Sequence, residues 1–299
     1  MSLWQQYLRP KTISEAMQAL VTAPKPVAPI AGGTDLLLDL EQGRHPAVKT
    51  LVDVTGIKEL LLLEIRGDKL FIGAGIPVTR ITLDPLVNQH GQALVEACAL
   101  IGGPQVRNVA TLGGNTAHAL PAADGTIALL ALDATVEIAG ISGIRELPFS
   151  ELFLGPGKSV LKHGEELIVG FNLQLKQTTQ ASCFKRIMRP QGVALPIINV
   201  AVWLDRDKNT IKNIHVAVGP GASTPWRARN AEDVLIGKPM DETISNSSLE
   251  ALLGQVGFRS SPRRASSDYR RHLVVTLFKD VLKTAWERAA YKGLQNYLN

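Results

Sequence analysis

The segment Ile197 to Gly219, IINVAVWLDRDKNTIKNIHVAVG, constrains the fold most tightly. Two β-branched halves flank a polar turn at Asp205 to Asn209, which is the pattern of an antiparallel hairpin. Upstream the pattern differs. KTLVDVTG and KLFIGAG read as short strands, the second entered through a turn at Gly67 and Asp68, and they alternate with stretches of helical spacing. ISEAMQALV reads as a helix with Ser14 at its N-cap, QALVEACALI (Gln92 to Ile101) as a helix stopped by Gly102, Gly103 and Pro104, and TIALLALDATVEIAG as a helix running into a strand. The polar stretch KQTTQAS (Lys176 to Ser182) separates the two regimes. Beyond Ser267, Leu273, Val274, Leu277, Phe278, Val281, Leu282, Ala285 and Trp286 recur at three- and four-residue spacing and stop near Gly293, a helix with a broad core-facing stripe. The expectation is an α+β fold: a first domain over residues 1–176, then a smaller C-terminal domain over 177–299 of antiparallel sheet plus helices.

Composition narrows the function. The chain has 299 residues, 45% of them hydrophobic and 20% charged, enough to bury more than one core. No apolar run reaches the roughly 18 residues of a membrane span, and MSLWQQYLRP lacks the basic-then-apolar order of a secretion signal, so a cytoplasmic protein without a membrane span is expected. Cys98 and Cys183 are the only cysteines, too few for a four-thiolate zinc or iron–sulfur site within this chain. The net charge of +5 comes from scattered residues apart from RSSPRRASSDYRRH (Arg259 to His272). That cluster lacks interleaved aromatic residues, so it reads as a solvated face or a partner contact rather than a nucleic-acid surface.

The chemistry sits in two glycine motifs. In AGGTDLL (Ala31 to Leu37), Gly32 and Gly33 let successive backbone amides converge and Thr34 adds a hydroxyl, a setting for a pyrophosphate. In TLGGNTAHALPAADG (Thr111 to Gly125), Gly113 and Gly114 permit a second close approach. There Thr111 supplies a hydroxyl, Asn115 fixes the loop or the ligand, and Asp124 offers an acceptor suited to ribose or ribityl hydroxyls. Either motif alone also fits an ordinary loop. His118, in the second motif, reads as a structural hydrogen-bonding residue. Neither GAGIPV (Val78 replaces the third glycine) nor LFLGPGKS (Leu152 replaces the first) completes a dinucleotide or Walker fingerprint.

AGGTDLL, GGPQVRNVATLGGNTAHALPAAD, GPGK, FKRIMRPQG and STPWRARNAEDVLIGK follow one another in the order found in the FAD-binding subunits of the molybdenum hydroxylases, and the chain resembles that xanthine dehydrogenase and carbon monoxide dehydrogenase family along nearly its whole length. The resemblance implies a two-part FAD-binding domain of the PCMH, vanillyl-alcohol-oxidase-like type. It implies cofactor contacts from Pro29, Ile30, Ala31, Gly32, Gly33, Thr34, Asp35 and Leu36, from Thr111, Gly113, Gly114 and Asn115, and from Ile101, Asp124, Ile168 and Lys185. No catalytic acid–base residue and no metal ligand is implied. Leu120 and Ile127 depart from the Ser-Pro and the later proline common in the family's second loop. The implied partners are an iron–sulfur (2Fe–2S) subunit and a molybdopterin-binding large subunit, with NAD, a quinone, a protein or oxygen as acceptor. A stand-alone NAD(P)H-dependent flavin reductase and a non-catalytic interaction protein that keeps the fold are the alternatives.

Overall fold

The computed structural model describes residues 3–189, 195–262 and 264–289. Residues 190–192 of FKRIMRPQG, Arg263 of the arginine cluster and the helix stop near Gly293 lie outside them.

The chain begins with β1 (Gln6–Leu8), α1 (Ile13–Thr22), β2 (Val27–Ile30), α2 (Leu36–Glu41) and β3 (Thr50–Asp53), whose strands lie parallel in the order β1-β3-β2. Thr12, not Ser14, caps α1: its hydroxyl oxygen accepts from Glu15 N at 3.1 Å. Thr12 and Glu15 have the capping-box spacing, which places the cap two residues earlier than the serine suggests.

A second sheet follows. β4 (Leu63–Arg66) and β5 (Lys69–Gly73) form a hairpin about the left-handed Gly67, with φ 64°. The chain then runs through α3 (Val78–Leu83), α4 (Pro85–His90), α5 (Gln92–Ala99), α6 (Pro104–Arg107), α7 (Leu112–Ala117) and α8 (Asp124–Ala131) before β6 (Thr135–Gly140), β7 (Gly143–Pro148), the β8 (Phe153–Gly155) and β9 (Lys158–Ser159) ribbon, and β10 (Leu167–Gln174). The antiparallel order is β4-β5-β10-β6-β7, so the apolar β10 occupies the centre. Pro104 opens α6 rather than merely ending α5, since proline fits the first helical turn where the N–H has no partner.

The C-terminal region contains β11 (Gln180–Met188), β12 (Pro196–Asp207), β13 (Thr210–Gly219) and β14 (Trp226–Arg227), antiparallel in that order, then α9 (Arg229–Leu235), α10 (Glu242–Gln255) and α11 (Ser267–Arg288). The expected hairpin is present, with Lys208 at φ 50° in its turn. This sheet has two buried faces. Ile198, Val200, Val202 and Leu204 pack with Val274, Phe278, Val281 and Leu282 of the α11 stripe, each contributing roughly 1.5–3 kcal/mol of transfer free energy. The alternate residues, Ala201 of β12 and Phe184 of β11 among them, join the core built from α5 and α8. Period-two alternation therefore reads as a nearly unbroken apolar run, because neither side meets water.

Polar contacts reinforce that junction. Glu96 of α5 accepts from Phe184 N at 2.7 Å and pairs with Arg288 at 2.6 Å. His215 of β13 stacks on Trp203, ring centroids 4.7 Å apart, and its Nδ1 lies 3.1 Å from the Ala131 carbonyl of α8, to which it donates. Burial, then the Arg227 guanidinium, holds His215 below its ordinary value. The unfolded chain takes up a proton near pH 6.5 while the folded chain resists it, so this contribution is complete above that pH and is lost as pH falls. Urea midpoints measured from pH 7 to pH 5 are expected to fall more steeply in the wild type than in His215→Phe; parallel curves would show that His215 is not the titrating group.

Among the described residues no helix is long and apolar enough to cross a membrane. Both cysteines are buried free thiols.

Candidate cofactor site

Strand β2 ends at Ile30 and α2 begins at Leu36, leaving AGGTD as the connection. Gly33 has φ 69°, a left-handed conformation that reverses the chain within one residue. The Gly33 and Asp35 carbonyls accept from Leu37 N at 3.0 Å and Asp39 N at 2.8 Å, which starts the helix. Among the described residues, the amides of Ala31, Gly32, Gly33, Thr34 and Asp35 donate to no protein acceptor. Ala31 to Thr34 are half-buried and Asp35 is exposed, so this run of amides without protein acceptors is open to an anion.

Gly32 has a different reason to be glycine. A Cβ there would overlap the Val109 carbonyl oxygen and lie 2.6 Å from its carbon and 2.9 Å from Ala110 Cα. The first glycine turn thus rests directly on the segment leading into the second.

That second segment is a helix start rather than a loop. Thr111 caps α7, its hydroxyl oxygen accepting from Gly114 N at 3.0 Å and its carbonyl from Asn115 N at 3.0 Å. Gly113 N donates to Ala74 O at 2.9 Å, and a Cβ on Gly113 would lie 2.7 Å from Ala74 Cβ. The close approach at Gly113 is therefore to the end of β5, and its amide is already committed. Gly114 is exposed, with open space around a Cβ apart from Thr111 Oγ1 at 3.2 Å.

Pro29, Ala31, Thr111, Gly113, Gly114 and Ile168 line one open cleft of about 140 Å³, with Leu60, Gly75 and His163 among its other walls. The remaining expected residues lie elsewhere. Ile30 points into a small core with Leu40 and Leu51. Gly32, Gly33, Thr34, Asp35 and Leu36 continue the first loop beyond the cleft wall. Asn115 stands over Gly125, and its buried Oδ1 has no hydrogen-bond partner among the described residues. Ile101 packs against the main core just past α5. Lys185 pairs with Asp280 at 2.8 Å and reaches Thr284 at 3.3 Å, facing α11. The His118 ring makes no protein hydrogen bond among the described residues; only its amide is engaged, with Gly114 O at 3.1 Å. Ile127 is fully buried at the junction, where a Cβ on Gly219 would lie 2.7 Å from its Cγ1.

Asp124 opens α8 deep in the protein. Its carboxylate pairs with Arg186 of β11 and accepts from Asn199 Nδ2 of β12 at 2.7 Å. Burial pushes Asp124 up to about 6, against the opposing pull of Arg186 and the Asn199 hydrogen bond. Neither Arg186 nor Asn199 was expected from the sequence. The signal was strand alternation: when Lys185 faces α11, its neighbour Arg186 must face α8.

The residues present fit FAD: a row of amides without protein acceptors at the edge of the cleft for phosphate oxygens, open space over Gly114, and apolar Pro29, Leu60 and Ile168 for a planar ring system.

Comparison with known proteins agrees. The family described as FAD binding domain in molybdopterin dehydrogenase matches residues 3–173, and CO dehydrogenase flavoprotein C-terminal domain matches residues 182–285. The chain is 32% identical over 289 residues to a xanthine dehydrogenase FAD-binding subunit of Escherichia coli O157:H7, covering 96% of this chain and 97% of that one. It is 29% identical over 281 residues to the nicotinate dehydrogenase FAD-subunit of Eubacterium barkeri, covering 92% and 93%. A chain in the structure of carbon monoxide dehydrogenase from Hydrogenophaga pseudoflava superimposes with a TM-score of 0.90 at 26% identity, over 96% of this chain and 98% of that one. The chain belongs to the FAD-binding subunits of the molybdenum hydroxylases, the xanthine dehydrogenase and carbon monoxide dehydrogenase family of oxidoreductases, and its cofactor is FAD.

Proposed function

We propose that this chain is the electron-transfer subunit of a cytoplasmic complex, receiving electrons from a 2Fe–2S partner and delivering them to an external acceptor such as NAD, while a molybdopterin-binding large subunit carries out the hydroxylation. Bound FAD supplies the exchange of electrons one or two at a time. This chain's residues bind and orient it: the Pro29 to Leu36 loop offers the Ala31 to Asp35 amides to the phosphates, Thr111, Gly113 and Gly114 form the second wall with Asn115 behind it, and Ile168 gives apolar contact. Ile101, Asp124 and Lys185 are not among the residues that line the cleft. The proposed domain boundary lies between residues 176 and 177, supported by the two family matches on either side of it.

The observation that carries the reading is the run of amides from Ala31 to Asp35 without protein acceptors beside the glycine wall. Its test is the visible spectrum of the purified chain after incubation with FAD and removal of excess. Flavin bands are expected in the wild type and should be lost in Gly33→Asp and Gly114→Asp, which place a carboxylate where phosphate oxygens would lie. Gly114→Asp is the cleaner variant, since an acidic residue in a first helical turn is compatible with the fold. Reconstitution with the iron–sulfur and molybdenum subunits should then couple substrate oxidation to acceptor reduction. Turnover of NAD(P)H by this chain alone would favour the flavin reductase, and a colourless wild type, with or without partners, the non-catalytic protein.

A further inference from the structure

The Asp124 carboxylate is held entirely from the other side of the domain junction. Arg186 donates Nη1 to Oδ2, and Asn199 donates Nδ2 to Oδ1 at 2.7 Å and to the Ala122 carbonyl at 3.1 Å. The Arg186 and Asp124 side chains are 6% and 4% exposed, and Asn199 is fully buried. Among the described residues Arg186 Nε and Asn199 Oδ1 are buried with no hydrogen-bond partner, so the cluster is not optimised for stability alone.

Its position suggests a purpose. The residue after Asp124 is Gly125, where a Cβ would lie 2.9 Å from both Asn115 Oδ1 and Leu112 Cδ1 of α7. Helix α7 in turn presents Gly113 and Gly114 to the cleft, with its cap residue Thr111. A contiguous, close-packed path therefore runs from the C-terminal sheet through the first residues of α8 to the second glycine motif. Other contacts join the domains, including Glu96 with Arg288 and His215 with Ala131, so loss of this cluster leaves the junction closed and displaces α8 locally.

We propose that Arg186 and Asn199 are positioning residues for the cofactor: from the C-terminal sheet they fix the start of α8 and, through Gly125 and Asn115, set α7 against the cleft. The cofactor site thus depends on the C-terminal domain through this path. Asp124 serves as the anchor of this path, with both oxygens engaged by protein donors. The inference rests on the FAD-subunit reading.

FAD dissociation constants, from flavin fluorescence titration, and urea midpoints would be measured for the full chain and for Arg186→Met, Arg186→Lys, Gly125→Ala and Val281→Ala. Val281 belongs to the α11 core, on the face of the sheet opposite the Asp124 cluster. Arg186→Met and Gly125→Ala are expected to weaken FAD binding by about fivefold or more. Arg186→Lys should recover much of the loss, and Val281→Ala should lower the midpoint while leaving the dissociation constant unchanged. Combining Arg186→Met with Gly125→Ala should weaken binding less than the product of the single effects, because both act on one path. Unchanged FAD affinity in Arg186→Met, or an equal loss in Val281→Ala, would overturn the proposal and leave the cluster purely structural. If Arg186→Met does not fold, Arg186→Lys and Gly125→Ala decide by the same criterion. A wild type that binds no FAD would instead remove the reading beneath it.

Discussion

Gly32→Ala is expected to reduce FAD affinity by about a hundredfold or more while leaving most of the protein folded. The added methyl would overlap the Val109 carbonyl oxygen and sit 2.6 Å from the carbonyl carbon, against a comfortable separation of about 3.5–4.0 Å. Two backbone segments cannot yield by changing rotamer, so the first glycine turn must lift away from the second. Overpacking of this kind costs about 3 kcal/mol, and if it falls wholly on the site geometry it corresponds to somewhat more than a hundredfold in the dissociation constant. Gly33→Ala provides the comparison. Its φ of 69° costs an alanine about 1–2 kcal/mol, and its Cβ would meet only the flexible Leu37 and Ile30 side chains, at 3.0 and 3.2 Å. The smaller effect of Gly33→Ala should therefore separate backbone conformation from contact between the turns. FAD titration of both variants measures the difference, and wild-type affinity in Gly32→Ala would refute the packed-turn description.

The second large effect is on stability. Glu232 of α9 accepts from Val216 N at 2.7 Å and from Arg227 at 2.9 and 2.7 Å, and the two side chains are 5% and 7% exposed. Glu232→Ala leaves a buried guanidinium and a buried amide without that partner, and should cost about 3–5 kcal/mol. Arg227 also reaches Asp133 across the junction at 2.9 Å, but Asp133 is 63% exposed, so Asp133→Ala should cost only about 0–1 kcal/mol. Urea denaturation of the two variants tests the contrast directly. Equal, small losses would mean that solvent reaches Arg227 in the native protein.

Much of this architecture was legible from residue patterning. The hairpin after Ile197, the α11 stripe and the helix passing into β6 follow from periodicity, and residues of both glycine motifs line the cleft. What patterning missed has local physical causes. Thr12 outcompetes Ser14 for the α1 cap because Glu15 N lies at the right spacing. The second glycine motif begins a helix, and Gly113 is glycine because the end of β5 passes close by, a long-range fact that no short window contains. Asp124 reads as an acceptor from its place beside a glycine motif, but its protein donors come from strands more than sixty residues away, and only the tertiary arrangement reveals them.

The doubly buried sheet has a consequence for how the chain finds its fold. A slip of β12 by one residue would turn Asn199 toward the α11 stripe and carry Ile198 or Val200 to the seat beside Asp124. An antiparallel sheet with one wet face can hide a misplaced polar residue in solvent, but this one has no such refuge. Each candidate alignment is tested on both sides at once, by helix α11 and by helix α8, so docking of the two halves acts as a proofreading step for strand alignment.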